Sequence, residues 1–349
     1  MFEFQWIYVL VAFAAGVAGA AFGALPIFIL CGLVAITAAT VSMIMGHPAE
    51  AGTKVFMQWV VWGPLLGPQT SFAGGIAAAA YAGKLGLLKS GRDILSGLMG
   101  LNRSDVLVVG GLFGALCYLM QVALQRLPNI GELPWTNTIA MAIVLNGMLA
   151  RLVFGKKGLL GKVRPGDSRW VPSDVAGWLP WQSRPGQLLL IGLGIGLPVA
   201  YVMTLYPSSA FLWFGLGVFS LIYLQYGTKI PVTHHIALSA EFAVLQGGDV
   251  WWGLAFGVLA VYLSEFFACL FTAHADSHID PPTCALVAVY TLVPVAKLMG
   301  WLHWATPVSP VVATGVAVVG FLFFTQIQRA GLVAMKSAPQ PKLEAVEVE

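Results

Sequence analysis

Charge is what this chain has least of. Only 9% of its 349 residues are Asp, Glu, Lys or Arg, beside a hydrophobic share of 58%. A soluble domain carries about a quarter charged residues, so the deficit excludes an ordinary soluble fold. With a mean hydropathy of +0.83 it points to membrane helices. The small positive balance of +3 is no footprint of nucleic acid, because the basic residues follow the loops between apolar segments. No nucleic-acid partner is expected; the lipid bilayer is. Cysteine is scarce too. Cys31, Cys117, Cys269 and Cys284 lie in apolar segments without CxxC spacing and read as buried thiols that say little about redox compartment.

Enzyme signatures are also missing. No HExxH and no Walker A sequence is present, and Gln246-Gly247-Gly248-Asp249 lacks the first glycine of a GxGD protease motif. These absences argue against an enzyme and against ATP hydrolysis by this chain, and neither a cofactor nor a metal site is expected. The run His274-Ala-Asp276-Ser-His278-Ile-Asp280 alternates imidazole and carboxylate, ligand types that suit a divalent metal. Its spacing matches no tight metal pattern, and it reads as a polar loop that gathers protons or cations.

What the chain does have is a succession of apolar segments. They fall at 5–22, 25–45, 50–66, 68–82, 105–124, 135–153, 187–205, 208–226, 231–246, 250–272, 282–299 and 308–328. The segments 50–66 and 68–82 are short for a core of ~30 Å, so the expectation is an all-α integral membrane protein of 11–12 transmembrane helices. With twelve spans, sixteen of the eighteen Lys and Arg share one side, leaving Arg126 and Lys297 on the other. Merging the two short segments leaves fifteen. Either count makes the linker and C-terminus cytoplasmic and leaves the N-terminus undecided. A bacterial cytoplasmic membrane is the expected location. A cleaved signal peptide over 1–22 is disfavoured, because no Lys or Arg precedes the apolar run.

Order repeats along the chain. Pro68-Gln69-Thr70 and Pro134-Trp135-Thr136 bracket Phe113-Gly114-Ala115-Leu116; Pro231-Val232-Thr233 and Pro281-Pro282-Thr283 bracket Phe256-Gly257-Val258-Leu259. Five elements pair in this reading: 25–45 with 187–205, 50–66 with 208–226, 68–82 with 231–246, 105–124 with 250–272, and 135–153 with 282–299. Because five is odd, the second copy enters the membrane from the other side, an inverted repeat with short or broken helices at Pro68 and Pro231. Transport paths lie at such repeat interfaces. The domains are then a flanking helix at 1–24, a first repeat at 25–153, a basic linker at 154–186, a second repeat at 187–299, a flanking helix at 300–329 and a disordered tail at 330–349. The pairs Gly110/Gly114 and Gly253/Gly257 allow close helix packing, between repeats or between subunits of a homo-oligomer.

Candidate site residues follow from the helix starts. A helix that begins inside a membrane leaves free amides and a partial positive charge there. Thr70, Ser71, Thr136, Asn137, Thr233, His234, His235 and Thr283 stand at such starts and are expected to contact substrate. Buried charge at membrane depth costs ~2.5–3.5 kcal/mol or more, which makes Glu241 and Glu265, with His274 and Asp276, candidates for proton or cation coupling. In the repeat, Ser71 and Phe72 occupy the places of His234 and His235, so the titratable groups belong to the second copy. The expected function is a permease for a small polar solute or ion, coupled to a proton or cation. The alternatives are a passive channel on the same scaffold and an intramembrane His/acid enzyme.

Overall fold

The structure is a computed structural model that describes residues 5–45, 47–304 and 306–337, without the side chains of 47–51, 336 and 337. It is helical throughout: among the described residues, β structure is limited to three isolated bridges. The helices are α1 (Trp6–Phe22), α2 (Ala24–Met45), α3 (His47–Phe56), α4 (Ser71–Lys84), α5 (Ser104–Leu124), α6 (Thr138–Phe154), α7 (Pro185–Leu205), α8 (Leu212–Phe219), α9 (Ile222–Gln225), α10 (His234–Leu245), α11 (Val250–Phe267), α12 (Pro281–Leu298) and α13 (Val308–Ser337).

Seven helical stretches among the described residues are long and apolar enough to cross a membrane, with Trp6–Phe22 and Thr138–Phe154 as shorter apolar helices. The outward faces agree: Leu190, Val311 and Val319 are about two-thirds exposed. Such apolar surface fits lipid and would be a liability in water. The stretch expected as a span at 50–66 is α3 followed by a π-helical turn at Met57–Val61. The C-terminal helix continues to Ser337, past Arg329, where the sequence suggested a disordered tail. The rest of that tail lies outside the described residues.

The helices led by the first triplet of each half begin three residues after their proline, α4 at Ser71 and α10 at His234, whereas α6 begins at Thr138 and α12 at Pro281. Proline supplies no amide and disfavours helix in the residue before it, so the chain turns at Gly67 and Pro68 before α4 can start. α4 ends at Lys84, two residues before Gly86 at φ +73°, the left-handed geometry that glycine provides past a helix end.

The glycine pairs act within each half. A Cβ on Gly114 would lie 2.8 Å from the Gly16 Cα, and one on Gly257 would lie 3.1 Å from the Gly196 Cα. One turn earlier, a Cβ on Gly110 would come within 2.7 Å of the Ala20 Cβ, and one on Gly253 within 2.5 Å of the Ala200 Cβ. Thus α5 packs on α1 as α11 packs on α7. Both glycine faces are covered by the chain itself. The halves meet along α2 and α8, where a Cβ on Gly32 would touch the Val218 side chain at 2.7 Å.

The bundle has two distinct ends. At the linker end, the loop between α4 and α5, the linker after α6 and the end of α11 are laced by arginines. Arg92 donates to the carbonyls of Val175, Ala176, Thr272 and Ala273. Arg151 donates to Ser277 Oγ at 2.9 Å and to the carbonyls of Leu159, Phe271 and Ser277. Arg169 reaches the carbonyls of Leu160 and Leu270. All three serve a helix C-terminus, where free carbonyls and the helix dipole favour cations. At the opposite end, Trp252 Nε1 donates to the Trp304 carbonyl at 3.2 Å, Ser309 to Asp249, and Trp135 Nε1 to the Leu124 carbonyl.

Candidate functional site: two cavities that meet at an aromatic and carboxylate constriction

An extended segment leads into α10. The Val232 amide donates to Gln182 Oε1 at 2.9 Å, and the Ile230 carbonyl accepts from the Trp181 indole at 2.9 Å. These bonds hold the segment to the linker. Thr233 makes no side-chain cap; only its carbonyl works, accepting from the amides of Ile236 and Ala237. His234 therefore opens the helix as a buried side chain. Its ring stands edge-on to Phe28, with centroids 5.4 Å apart, and to His235 at 5.6 Å. His234 Nδ1 and both ring nitrogens of His235 have no protein partner.

Two cavities meet at this point. One, of about 340 Å3, extends from the linker end past Arg92, Trp178, Trp181 and His278. The other, of about 430 Å3, extends from the opposite end past Gln125, Pro134 and Gln246. Phe28, Phe72, His234 and Asp280 line both. Phe28 and Phe72 face each other with centroids 5.1 Å apart, so an aromatic pair, a histidine and a carboxylate form the partition. A third cavity of about 580 Å3, between α1, α5 and Trp135, shares Trp62, Gln125 and Ile139 with the second.

Asp280 is fixed from two sides. Its Oδ2 accepts from the Thr283 amide at 2.9 Å and from the Thr283 hydroxyl, as an N-cap of α12 does. Its Oδ1 lies 3.1 Å from His278 Nε2. Glu241 is 1% exposed and lines the second cavity. Its Oε2 accepts from the Phe211 amide at 3.3 Å while Oε1 has no partner. Phe211 stands at φ +67° just before α8. For a bulky side chain that geometry is an outlier held by its surroundings; the surroundings here are the Glu241 carboxylate and the ring of Trp62, 5.4 Å away.

The remaining expected residues divide. Thr136, Asn137 and Thr283 line the second cavity. Thr136 Oγ1 donates to the Val287 carbonyl at 3.0 Å, tying α6 to α12, and Asn137 caps α6 by accepting from the Ala140 amide. Thr70 and Ser71 are buried in the turn before α4 and donate to the carbonyls of Gly67 and Leu66. Neither they nor Thr233 and His235 line these three cavities. Glu265 lies apart from the constriction, in a small gap against Pro172, Trp178 and Ser183 of the linker, with Cys269 Sγ 3.6 Å away. His274 and Asp276 anchor the linker: His274 Nε2 is 3.2 Å from the Ser168 carbonyl, and Asp276 Oδ2 accepts from the amides of Lys156 and Lys157. Burial holds the His274 imidazole below its ordinary value, with the Arg169 charge acting in the same direction and the bond to Ser168 opposing them.

Several residues at the constriction carry no clear sequence signal. Phe28 and Phe72 look like any core aromatic. Asp280 and His278 stand in the polar run but are not separated there from His274 and Asp276; the Asp-Pro-Pro-Thr cap at the start of α12 is the cue that sets Asp280 apart. Arg151, counted in the sequence with the basic linker, is fully buried near the end of α6. Among the described residues, no group of three or more His, Cys, Asp and Glu is arranged to hold a metal ion.

A family model described as a family of unknown function (DUF7973) matches residues 1–172 and 166–310, and the chain belongs to that family. No curated protein and no solved structure matches it.

Proposed function

We propose that this member of a family of unknown function is a membrane permease for a small solute, working by alternating access across an inverted repeat. The observation that carries the reading is the pair of cavities from opposite ends that share only Phe28, Phe72, His234 and Asp280. An occluding partition with titratable groups in it is what a carrier needs at its midpoint.

The helix directions support the inversion. α1 ends beside the linker-end loop, since the Leu98 amide donates to the Ala20 carbonyl, whereas α7 begins directly after the linker. α5 begins at that loop, and α11 ends there under Arg92. The matched glycine contacts pair α1 with α7, so α2 pairs with α8, in place of 25–45 with 187–205 and 50–66 with 208–226. In this register α1 belongs to the first copy and does not flank it, and only α13 stands outside the repeat. α3, the π-helical turn and α4 together make one interrupted crossing, as α10 does with the extended segment before it. Irregular backbone at that depth is tolerated where protein or a cavity surrounds it.

His234 and Asp280 form the coupling site in this reading, and Glu241 the solute site. Glu265, His274 and Asp276 hold the linker. A flux screen in proteoliposomes, with and without a pH gradient, tests the proposal. Saturable uptake is expected, weakened by Asp280→Asn and made leaky by Phe72→Ala. Flux that never saturates would make the protein a channel, and no flux of any solute would end the transport reading.

A further inference from the structure

The second cavity has an unusual balance of chemistry. Its wall carries two carboxylates, Glu241 and Asp280, and among the described residues that line it there is no Lys or Arg. Formal cations stand outside its lining: Arg92 borders the first cavity, Arg126 borders the third, and Lys297 Nζ is engaged with Gln246 Oε1 at 3.3 Å. Asp280 is already saturated by Thr283 and His278, but Glu241 keeps a buried oxygen without a partner.

Around Glu241 stand aromatic faces. Trp62 lies 4.8 Å from Phe214 and 5.4 Å from Phe211, ring centre to ring centre. Phe242 and Tyr290, which also line the cavity, stack 3.8 Å apart with their planes nearly parallel. Aromatic faces attract cations through their quadrupole, and they do so most strongly where water is excluded. A carboxylate alone would suit a proton or a metal ion, yet neither needs five rings. A cation would be offset by the carboxylate charge, whereas an anion would be repelled by it. We infer that the second cavity binds a small organic cation, an amine or quaternary ammonium with apolar substituents, held between the Glu241 carboxylate and the Trp62, Phe211 and Tyr290 rings.

This assignment rests on the permease reading for its purpose but can be tested without it. Radiolabelled tetraethylammonium is dialysed against the purified full chain in detergent, with 3,3-dimethylbutan-1-ol as an uncharged competitor and choline as its charged isostere. Saturable binding is expected, displaced by choline and not by the alcohol. Glu241→Gln and Tyr290→Leu should each weaken it by about tenfold or more, while Glu265→Gln, outside the cavity, leaves it unchanged and reports that the fold is intact. Equal displacement by the alcohol, unaltered binding in Glu241→Gln, or no binding at millimolar concentration each overturns the assignment. If the cation binds but nothing crosses proteoliposomes, the permease reading fails alone. If a neutral or anionic solute is transported and the cation does not bind, the cation assignment fails alone.

Discussion

The two halves share a packing scheme but differ in what they do with polar side chains. In the first, the turn before α4 consumes its own polarity: Gln69 Nε2 donates to the Trp62 carbonyl at 2.7 Å, Thr70 to Gly67 and Ser71 to Leu66. In the second, the segment before α10 is held by the linker, so His234 is left free to face both cavities. The arginines show the same division. Arg92 and Arg151 come from the first half and satisfy carbonyls at the end of α11 in the second. The first half supplies the frame, and the second carries the titratable groups of the partition. His234 and Asp280, both from the second half, line both cavities.

The largest contrast expected is functional. Asp280→Asn and His234→Gln should lower proteoliposome uptake by about tenfold or more, equivalent to ~1.4 kcal/mol, whereas Ser71→Ala at the matching helix start should change it by less than about twofold. Equal losses at both starts would erase the distinction between the copies.

A frame residue should fail differently. Arg151→Ala strands buried carbonyls, each worth about 1–3 kcal/mol when left without a donor, so thermal unfolding in detergent should drop sharply. Tetraethylammonium affinity measured below the melt should hold. A variant as stable as the parent would remove Arg151 from the frame.

The glycine seams give a smaller and graded effect. A methyl on Gly114 meets backbone atoms of Gly16 and Thr70 at 2.8 Å, and one on Gly257 meets Gly196 at 3.1 Å. Gly114→Ala should therefore destabilise by about 1–3 kcal/mol and Gly257→Ala by less, as read from unfolding midpoints. The reverse order would contradict the tighter first-half seam.

The smallest effect is expected at the linker. Burial holds the native His274 imidazole below its ordinary value, while the unfolded chain takes up a proton near its ordinary pKa of about 6.5. The native pKa is the lower one, so this contribution to stability is present above pH ~6.5 and is lost as pH falls below it. Unfolding midpoints at pH 7.5 and 5.5 should diverge, and His274→Asn should narrow the gap.

Much of the fold was legible. Charge scarcity and long apolar segments announce the helices, and the Pro-x-Thr triplets mark the beginnings of α4 and α10, which start three residues later than the segments 68–82 and 231–246. The glycine pairs signal close packing without naming the partner. Which helices pair in a repeat was not fixed by the apolar pattern, because uniformly apolar helices have little periodicity to set a frame. The site was legible in part. His234 and Glu241 were visible as charges inside apolar helices, but Glu265 gave the same signal and lies against the linker.

Composition and local order by themselves determined the class of the molecule, its helices and where two of them begin. Solvation and backbone geometry act residue by residue, so a sequence carries them directly. Tertiary structure alone decided that Phe28, Phe72, His234 and Asp280 form one partition, and that Arg151 is buried without harm. Those outcomes depend on which faces of separate helices meet. A buried side chain acquires its role from neighbours that are distant in the chain.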